Sequence, residues 1–336
     1  MHHKLLVNPV FLMCSERSGS NLIARIFGSH PGFFAPSPAH LFRVFSELKP
    51  QDTLRDDLLR MFDAKLGIWE LDSWPQSRRM SVLEGCDTPA EMIAALLNAE
   101  GAERGKARLF LKENSAHSFL PFMESVAENP RHVLMVRDPR DMAASWVEAS
   151  TLRGGVVRAA RRWLSDISGA LAAETKGRRL VKLTYEALVS QPEDTLRRVC
   201  AELDVPFSPA MLEHVSNSQG VQKDAGRTAL WNNLSRGIMR DNFNKFRDKL
   251  NSDEIAYIEA LCGPLMAQFG YEASRGGDIP QFGNHSSFDA LEADLEAKEP
   301  WEKPAYLDLP DEERTRLEHW SALKKELTDR HGRSHS

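Results

Sequence analysis

The chain has 336 residues, 42% of them hydrophobic and 27% charged, which is enough for one large α/β domain with additions. A net charge of -5 argues against a globally basic nucleic-acid binder and requires any anion site to be local. The four cysteines, Cys14, Cys86, Cys200 and Cys262, form no CxxC pair, and no run approaches the ~18 apolar residues of a membrane span. Together with an N-terminus that lacks a signal-peptide pattern, these features read as a soluble, cytoplasmic protein without structural zinc.

Four short apolar runs read as buried parallel strands: 10–14, 108–111, 132–136 and 180–184. After the first, Leu22, Ile23, Ile26 and Phe27 repeat at helical spacing, and after the third, Asp138 and Pro139 have the order of a helix cap and first turn. Helices are expected at 157–173 and near 192–203, the second with Ser190 and Glu193 at capping-box spacing. Asn251 and Glu254 have the same spacing ahead of a stripe from Ile255 to Phe269, which Gly270 would stop. The alternation predicts a three-layer α/β/α fold with a central, mostly parallel sheet. Residues 1–273 read as that domain. The Gly-, Pro- and acid-rich stretch 274–304 reads as a linker or loosely held arm. Residues 305–336 read as an amphipathic helix and tail, with Leu317, Trp320, Leu323 and Leu327 available to pack on the domain or to pair two subunits.

The strand-to-helix loop at 15–21 has the make-up of an anion cradle, because backbone N–H groups and a helix N-terminus converge there. Arg17 adds a fixed charge, Gly19 permits close approach, and Ser18, Ser20 and Asn21 add side-chain donors. The Walker A pattern GxxxxGK[ST] is absent, which disfavours an ordinary nucleoside-triphosphate hydrolase. A polar turn capped by serine would share this composition. Arg137 ends the third strand, where ligands of open α/β sheets sit, and Ser145 follows on the next helix. The competing explanation of Arg137 is a salt bridge to Asp138 or Asp141, and Arg140 reads as such a surface group.

Taken together, the segments 17–22 and 137–145 resemble the loop and the Arg-Asp-Pro-Arg-Asp-x-x-x-Ser motif of sulfotransferases that use 3′-phosphoadenosine 5′-phosphosulfate. Thr184-Tyr185-Glu186-Ala187-Leu188 and Phe269-Gly270-Tyr271 extend the resemblance to roughly residues 8–272. It implies a P-loop-like phosphosulfate loop in which Arg17 contacts the transferred sulfonate while Ser18, Gly19, Ser20 and Asn21 hold the 5′-phosphate. It further implies that Arg137 and Ser145 bind the 3′-phosphate and that Tyr185 approaches the adenine. Arg236 stands in a degenerate form of the family's late phosphate segment. Leu22 replaces an adenine-stacking Trp of the animal cytosolic enzymes, and Trp231 is a candidate replacement. No metal is implied for the transfer.

An alcohol acceptor benefits from a general base. His117, in a Lys-x-x-x-x-His segment starting at Lys112, and His40, where some relatives carry a Glu, are the two candidates, each with packing or capping as its alternative role. Lys112 could assist the transferred group, and Glu84 and Asp87 lie in a further acceptor-side turn. Helical insertions between 43 and 106 are expected to shape the acceptor pocket. The resemblance implies transfer to a hydroxyl or an amine, and the acceptor itself, whether small molecule, carbohydrate or lipid, is not legible. A phosphotransferase or nucleoside kinase and a non-catalytic nucleotide-binding module are the competing readings. The basic run around Trp163 reads as a solvated helix face over a core tryptophan rather than as a nucleic-acid site.

Overall fold

The computed structural model describes residues 5–48, 53–64, 69–149, 151–213, 238, 242–274, 285–299 and 307–331. Its strands are β1 (Leu6–Val7), β2 (Val10–Cys14), β3 (Phe33–Phe34), β4 (Arg108–Lys112), β5 (Ala127–Glu128), β6 (Arg131–Val136) and β7 (Leu180–Thr184). Five of them form a sheet of order β3-β4-β2-β6-β7 in which every described pairing is parallel. β1 and β5 form a separate parallel pair. The four strands expected from apolar runs are all present, within a residue of the expected ends. The two-residue strands β1, β3 and β5 are too short to carry a periodic signal.

All five β2 side chains are buried because helices cover both faces of the sheet. Val10, Leu12 and Cys14 face one core and Phe11 and Met13 the other, the period-two alternation of a strand. Before β4 come α1 (Ser20–Ser29), α2 (Leu41–Phe45), α3 (Leu54–Asp63), α4 (Gln76–Val82) and α5 (Pro89–Glu103). After it come α6 (Leu120–Glu124), α7 (Pro139–Val147) and α8 (Gly155–Thr175), then α9 (Tyr185–Ser190) and α10 (Pro192–Glu202) beyond β7. The described C-terminal part holds α11 (Phe246–Lys249), α12 (Ser252–Gln268), α13 (His285–Lys298) and α14 (Asp311–His331). α1 and α10 pack on the first face, while α5, α7, α8 and α12 pack on the second, giving the three layers that the alternation predicted.

The local signals act much as their chemistry dictates. Thr88 and Glu91 form a reciprocal capping box on α5, and Asn251 and Glu254 do so on α12. Gly270 takes φ 78° just past α12, the left-handed stop that glycine tolerates. Ser190 does not cap α10: it belongs to α9, and Gln191 is the capping residue, without a side-chain bond. Pro192 at the first position of α10 sets that boundary instead.

The stretch 274–304 departs from the linker reading. It contains α13, whose Phe288 stacks on Tyr257 with ring centroids 5.2 Å apart and whose Leu295 is buried. Its acids meet Arg161 of α8, with Arg161 Nη2 to Glu292 Oε1 at 2.6 Å and Arg161 Nη1 to Glu296 Oε1 at 3.2 Å. The acidic composition that suggested an unpacked arm therefore serves as the complement of a basic helix face. α14 lies against α3: Leu323 and Leu327 are buried, Glu326 accepts two bonds from Arg60 at 3.0 Å, and Arg330 reaches Asp57 at 2.9 Å. Leu323 and Leu327 of the expected apolar stripe are thus packed within the chain, while Leu317 and Trp320 stay half-buried. Among the described residues no helix is long and apolar enough to cross a membrane.

Candidate active site

β2 is the central strand, with β4 on one side and β6 on the other, so the chain reverses direction across the sheet at its carboxyl end. Ligands of open α/β sheets sit in the crevice at such a switch point. The loop after β2 occupies it. Gly19 caps α1 at φ 85°, and a Cβ there would strike the Tyr185 ring, so both the conformation and the packing require glycine. Ser15 and Ser18 are fully buried; Ser15 lies against Asp166, whereas the Ser18 hydroxyl has no hydrogen-bond partner. Buried polar atoms are nearly always paired, so an orphan hydroxyl in this loop points to a ligand.

Among the described residues seven non-glycine positions have positive φ. Four are Asn or Asp (Asn8, Asn129, Asp204 and Asn244), which tolerate the left-handed region. The other three are Arg17 (61°), His40 (57°) and Ser115 (54°), and all belong to this site. Backbone strain in residues that do not favour it concentrates where function over-determines geometry.

The two motifs singled out in the sequence meet directly. Arg17 Nε donates to Ser145 Oγ, 128 positions away, at 3.1 Å, and Arg137 Nη1 donates to the Arg17 carbonyl at 3.0 Å. The salt-bridge explanation of Arg137 fails, because both nearby acids are engaged elsewhere. Asp138 holds Arg140 through two contacts, of 3.0 and 2.6 Å, and Asp141 accepts the backbone N–H groups of Asn244 and Phe246 at 2.6 and 2.9 Å. Arg137 is left with the carbonyls of Arg17 and Asn242, and its buried Nε has no partner. Its guanidinium lies 4.6 Å from the centre of the Tyr185 ring, and Trp163 Nε1 fixes its carbonyl at 2.8 Å. Burial, with Arg137 as the next contributor, pulls the Arg17 guanidinium below its ordinary pKa. Among the described residues neither cation is hydrogen-bonded to a carboxylate, although Glu16 and Glu148 act on Arg17 from further away, an arrangement that a dianion would complete.

Arg140 is the correction to the sequence reading. It is not a surface group but is buried, bonded to Asp138 and to Glu259 at 2.6 Å, and stands over the Phe246 ring. Its second acid comes from α12, over a hundred residues away, which local sequence could not reveal. Removing one partner of such a pair leaves a buried charge and is strongly destabilising.

The residues that leave β4 form a second group of contacts beside this loop. Lys112 Nζ donates to Asn21 Oδ1 at 3.0 Å, Glu113 Oε2 meets His40 Nδ1 at 2.8 Å, and Asn114 Nδ2 donates to Glu16 Oε1 at 3.0 Å. Ser115 Oγ accepts from Arg162 Nη1 at 2.6 Å, and His117 Nδ1 lies 3.5 Å from Asp166 Oδ1. Burial depresses the Lys112 pKa. Burial and then Arg162 lower that of His117, whose Nε2 also contacts Ser118 Oγ at 3.2 Å. Burial pushes the Asp166 carboxyl up to about 6, and neither of its oxygens has a well-aligned hydrogen bond.

The site therefore gathers Arg17, Ser18, Gly19, Ser20, Asn21, Lys112, Arg137, Ser145 and Tyr185, with His40 and His117 beside the strand that carries Lys112. Leu22 packs at the edge of the core under α1. Tyr185 lies between Gly19 and Arg137, and its hydroxyl accepts from Asn242 Nδ2 at 2.6 Å. Arg236 and Trp231 lie outside the described residues. Glu84 and Asp87 are exposed in the turn before α5, where Glu91 accepts the Asp87 N–H at 2.8 Å. Sequence reasoning missed Glu113, Asp166 and Asn242. Glu113 adjoins a singled-out lysine and could have been weighed, whereas Asp166 sits inside an apolar stripe and Asn242 in an unpatterned stretch. Two further resemblance segments meet each other, since Tyr271 donates to Glu186 at 2.7 Å and Glu186 accepts the Asp138 N–H at 3.1 Å.

Comparison with known proteins agrees with this geometry. The sequence model described as "Sulfotransferase family" matches residues 9–209. The chain belongs to the sulfotransferase family. It is 26% identical over 186 residues to human carbohydrate sulfotransferase 3, covering 46% of this chain and 37% of that one. Protein-tyrosine sulfotransferase A of Caenorhabditis elegans is 23% identical over 172 residues, covering 48% and 44% respectively. The chain thus spans less than half the length of these curated relatives. The sulfotransferase domain of the Synechococcus PCC 7002 olefin synthase superposes with a TM-score of 0.53 at 21% identity, covering 73% of this chain and 88% of that one, which shows the shared fold.

Proposed function

We propose that this sulfotransferase-family chain transfers a sulfonate group from 3′-phosphoadenosine 5′-phosphosulfate to a hydroxyl of its acceptor. The observation that carries the reading is the pair of guanidiniums, Arg17 and Arg137, at two neighbouring strand ends, neither hydrogen-bonded to a carboxylate among the described residues. A donor with phosphates at both ends of its ribose matches that pair. The unpartnered Ser18 hydroxyl and Arg137 Nε supply the remaining donors. When bound, the donor supplies the electrophilic sulfur and a phosphate leaving group.

The residues of this chain then divide the work. Arg17 is placed to stabilise charge developing on the leaving oxygen, and Ser145 holds it in position. Lys112, tied to the loop through Asn21, adds a second positive group beside the transferred sulfonate. Arg137 and Ser145 hold the 3′-phosphate end. His40 is the acceptor's base: Glu113 fixes its Nδ1, leaving Nε2 to accept the hydroxyl proton. His117 has neighbours at both ring nitrogens and lies on Gly169, which suits a packing role. The kinase reading needs a strand-end carboxylate for Mg²⁺. Of the acids at the strand ends, Asp138 and Asp141 are committed to structure, Glu113 meets His40, and Glu16 accepts from Asn114. The relatives' names point to saccharide or tyrosine hydroxyls as acceptors.

Thermal-shift titration with adenosine 3′,5′-bisphosphate, AMP and ATP tests the donor assignment. Ligands that bind only the folded state stabilise it in proportion to their affinity, so the bisphosphate should raise Tm most. Equal stabilisation by AMP or ATP would refute a 3′-phosphate site.

A further inference from the structure

The sulfonate-transfer reading leaves one buried carboxylate without a role. Asp166 lies in the middle of α8, where two other segments meet it. Ser15 comes from the start of the loop after β2, and Ser115 and His117 come from the segment leaving β4. The helix is shaped to receive that segment. Arg162, Asp166 and Gly169 recur at i, i+4 and i+7 and so share one face. Arg162 donates to Ser115 Oγ at 2.6 Å, Asp166 meets Ser115 and His117, and a Cβ at Gly169 would strike the His117 ring. Trp163, next to Arg162, holds the Arg137 carbonyl at 2.8 Å. One helix therefore supports the donor loop, Arg137 and the segment leaving β4.

The contacts of Asp166 are unfinished. The Ser15 and Ser115 hydroxyls lie against its carboxylate, yet neither carboxylate oxygen and not Ser15 Oγ completes a well-aligned hydrogen bond. Ser115 Oγ accepts from Arg162, which leaves its own proton to give. Two hydroxyl protons thus face two acceptor oxygens, one from each segment. Arg162 favours the ionised carboxylate, whereas burial and Glu16 oppose it. A buried carboxylate with unmet oxygens costs stability, and such groups concentrate where function fixes geometry. The left-handed φ of 54° at Ser115 marks the same place.

We propose that Asp166 is a positioning residue for the transfer: by accepting from Ser15 and Ser115 together when the donor is bound, it fastens the segment leaving β4 to the loop after β2. This deepens the sulfotransferase reading and rests on its donor assignment. Lys112 and Glu113, and through Glu113 the ring of His40, belong to the segment so fastened. Occupying the donor site would thereby set the groups that act on the acceptor, and small misplacements of such groups cost rate.

Hydrogen exchange on the full chain, with and without adenosine 3′,5′-bisphosphate, tests the coupling at the short turn Ala116–Ser118. There the Ser118 and Phe119 N–H groups donate to the Ser115 and Ala116 carbonyls at 3.0 and 3.2 Å. In the parent the bisphosphate should slow exchange of these two amides at least about tenfold. In Asp166→Asn, which offers the two hydroxyls a single acceptor oxygen, the slowing should fall below about twofold while the bisphosphate binds within about tenfold of the parent. Ser15→Ala should reproduce the loss, and the double variant should lose no more than either single one, because the same contact is removed twice. Undiminished slowing in Asp166→Asn, additive losses, or a parent that binds the bisphosphate without slowing the turn overturns the proposal. So does loss of bisphosphate binding in both single variants, which would make the carboxylate part of the donor site or of the fold. A parent that does not bind the bisphosphate refutes the donor reading itself, and this inference with it.

Discussion

The donor half of the site and the acceptor half are built on different principles. On the donor side, segments far apart in sequence are laced together by short bonds. Arg17 reaches Ser145, Arg137 reaches the Arg17 carbonyl, and Tyr185 packs on Gly19. On the acceptor side, five of the six consecutive residues from Lys112 to His117 each reach toward a different partner. The first arrangement is preorganised around a ligand of fixed shape, where positioning and electrostatics do most of the catalysis. The second is modular, so that one contact can change while the others stay in place. The contrast suits an enzyme with one donor and a selectable acceptor.

Substitutions can break or sharpen this contrast. Arg17→Ala should have the largest effect, lowering kcat about 10²–10³-fold, the usual cost of removing a donor aimed at developing charge. A loss confined to KM would show that Arg17 only binds. His40→Asn should lower kcat about 10²-fold with unchanged bisphosphate affinity, while His117→Asn should leave kcat largely intact. Steady-state kinetics on the two variants decides between them, and the reverse pattern would reassign the base. Arg137→Ala should cost about 10–100-fold in the preference for adenosine 3′,5′-bisphosphate over AMP, read by calorimetry, as expected for hydrogen bonds to a charged group.

The fourth prediction concerns stability rather than turnover. Burial raises the Asp166 carboxyl to about 6 in the folded protein, above the ~3.9 of an unfolded chain. Between those values the native state binds more protons than the unfolded state, so stability falls as pH rises through about 6. Asp166→Asn removes that ionisation. It should be more stable than the parent by on the order of 2 kcal/mol at pH 7.5, with the difference fading below about pH 4. Denaturant midpoints at the two pH values check this, and a variant no more stable at pH 7.5 would show that the ionised Asp166 carboxylate is compensated by its neighbours.

Much of the donor half was legible in the sequence because its chemistry is local. The residues of the loop 15–21 carry their donors on consecutive positions, and Asp138-Pro139 announces the helix behind Arg137. What could not be read is which acid meets which base. Asp138, next to Arg137, turns instead to Arg140, because Glu259 arrives from α12 to complete a buried pair. The acceptor half was legible only as two histidines of equal standing. The difference between them lies in Glu113 and Gly169, neither of which announces its partner. The helix α13 was hidden for a related reason: its acids read as an unpacked stretch until Arg161 was seen opposite them.

The segment leaving β4 has a consequence for how this enzyme can change. Its residues share one register, set where β4 pairs with β2 through Phe110, Leu111 and Lys112. Side chains alternate along a strand, so a one-residue insertion or deletion there would turn the groups at its end toward the wrong faces together. Single substitutions carry no such linkage. Acceptor choice in this molecule is therefore open to stepwise exchange of side chains and closed to changes of length in this segment.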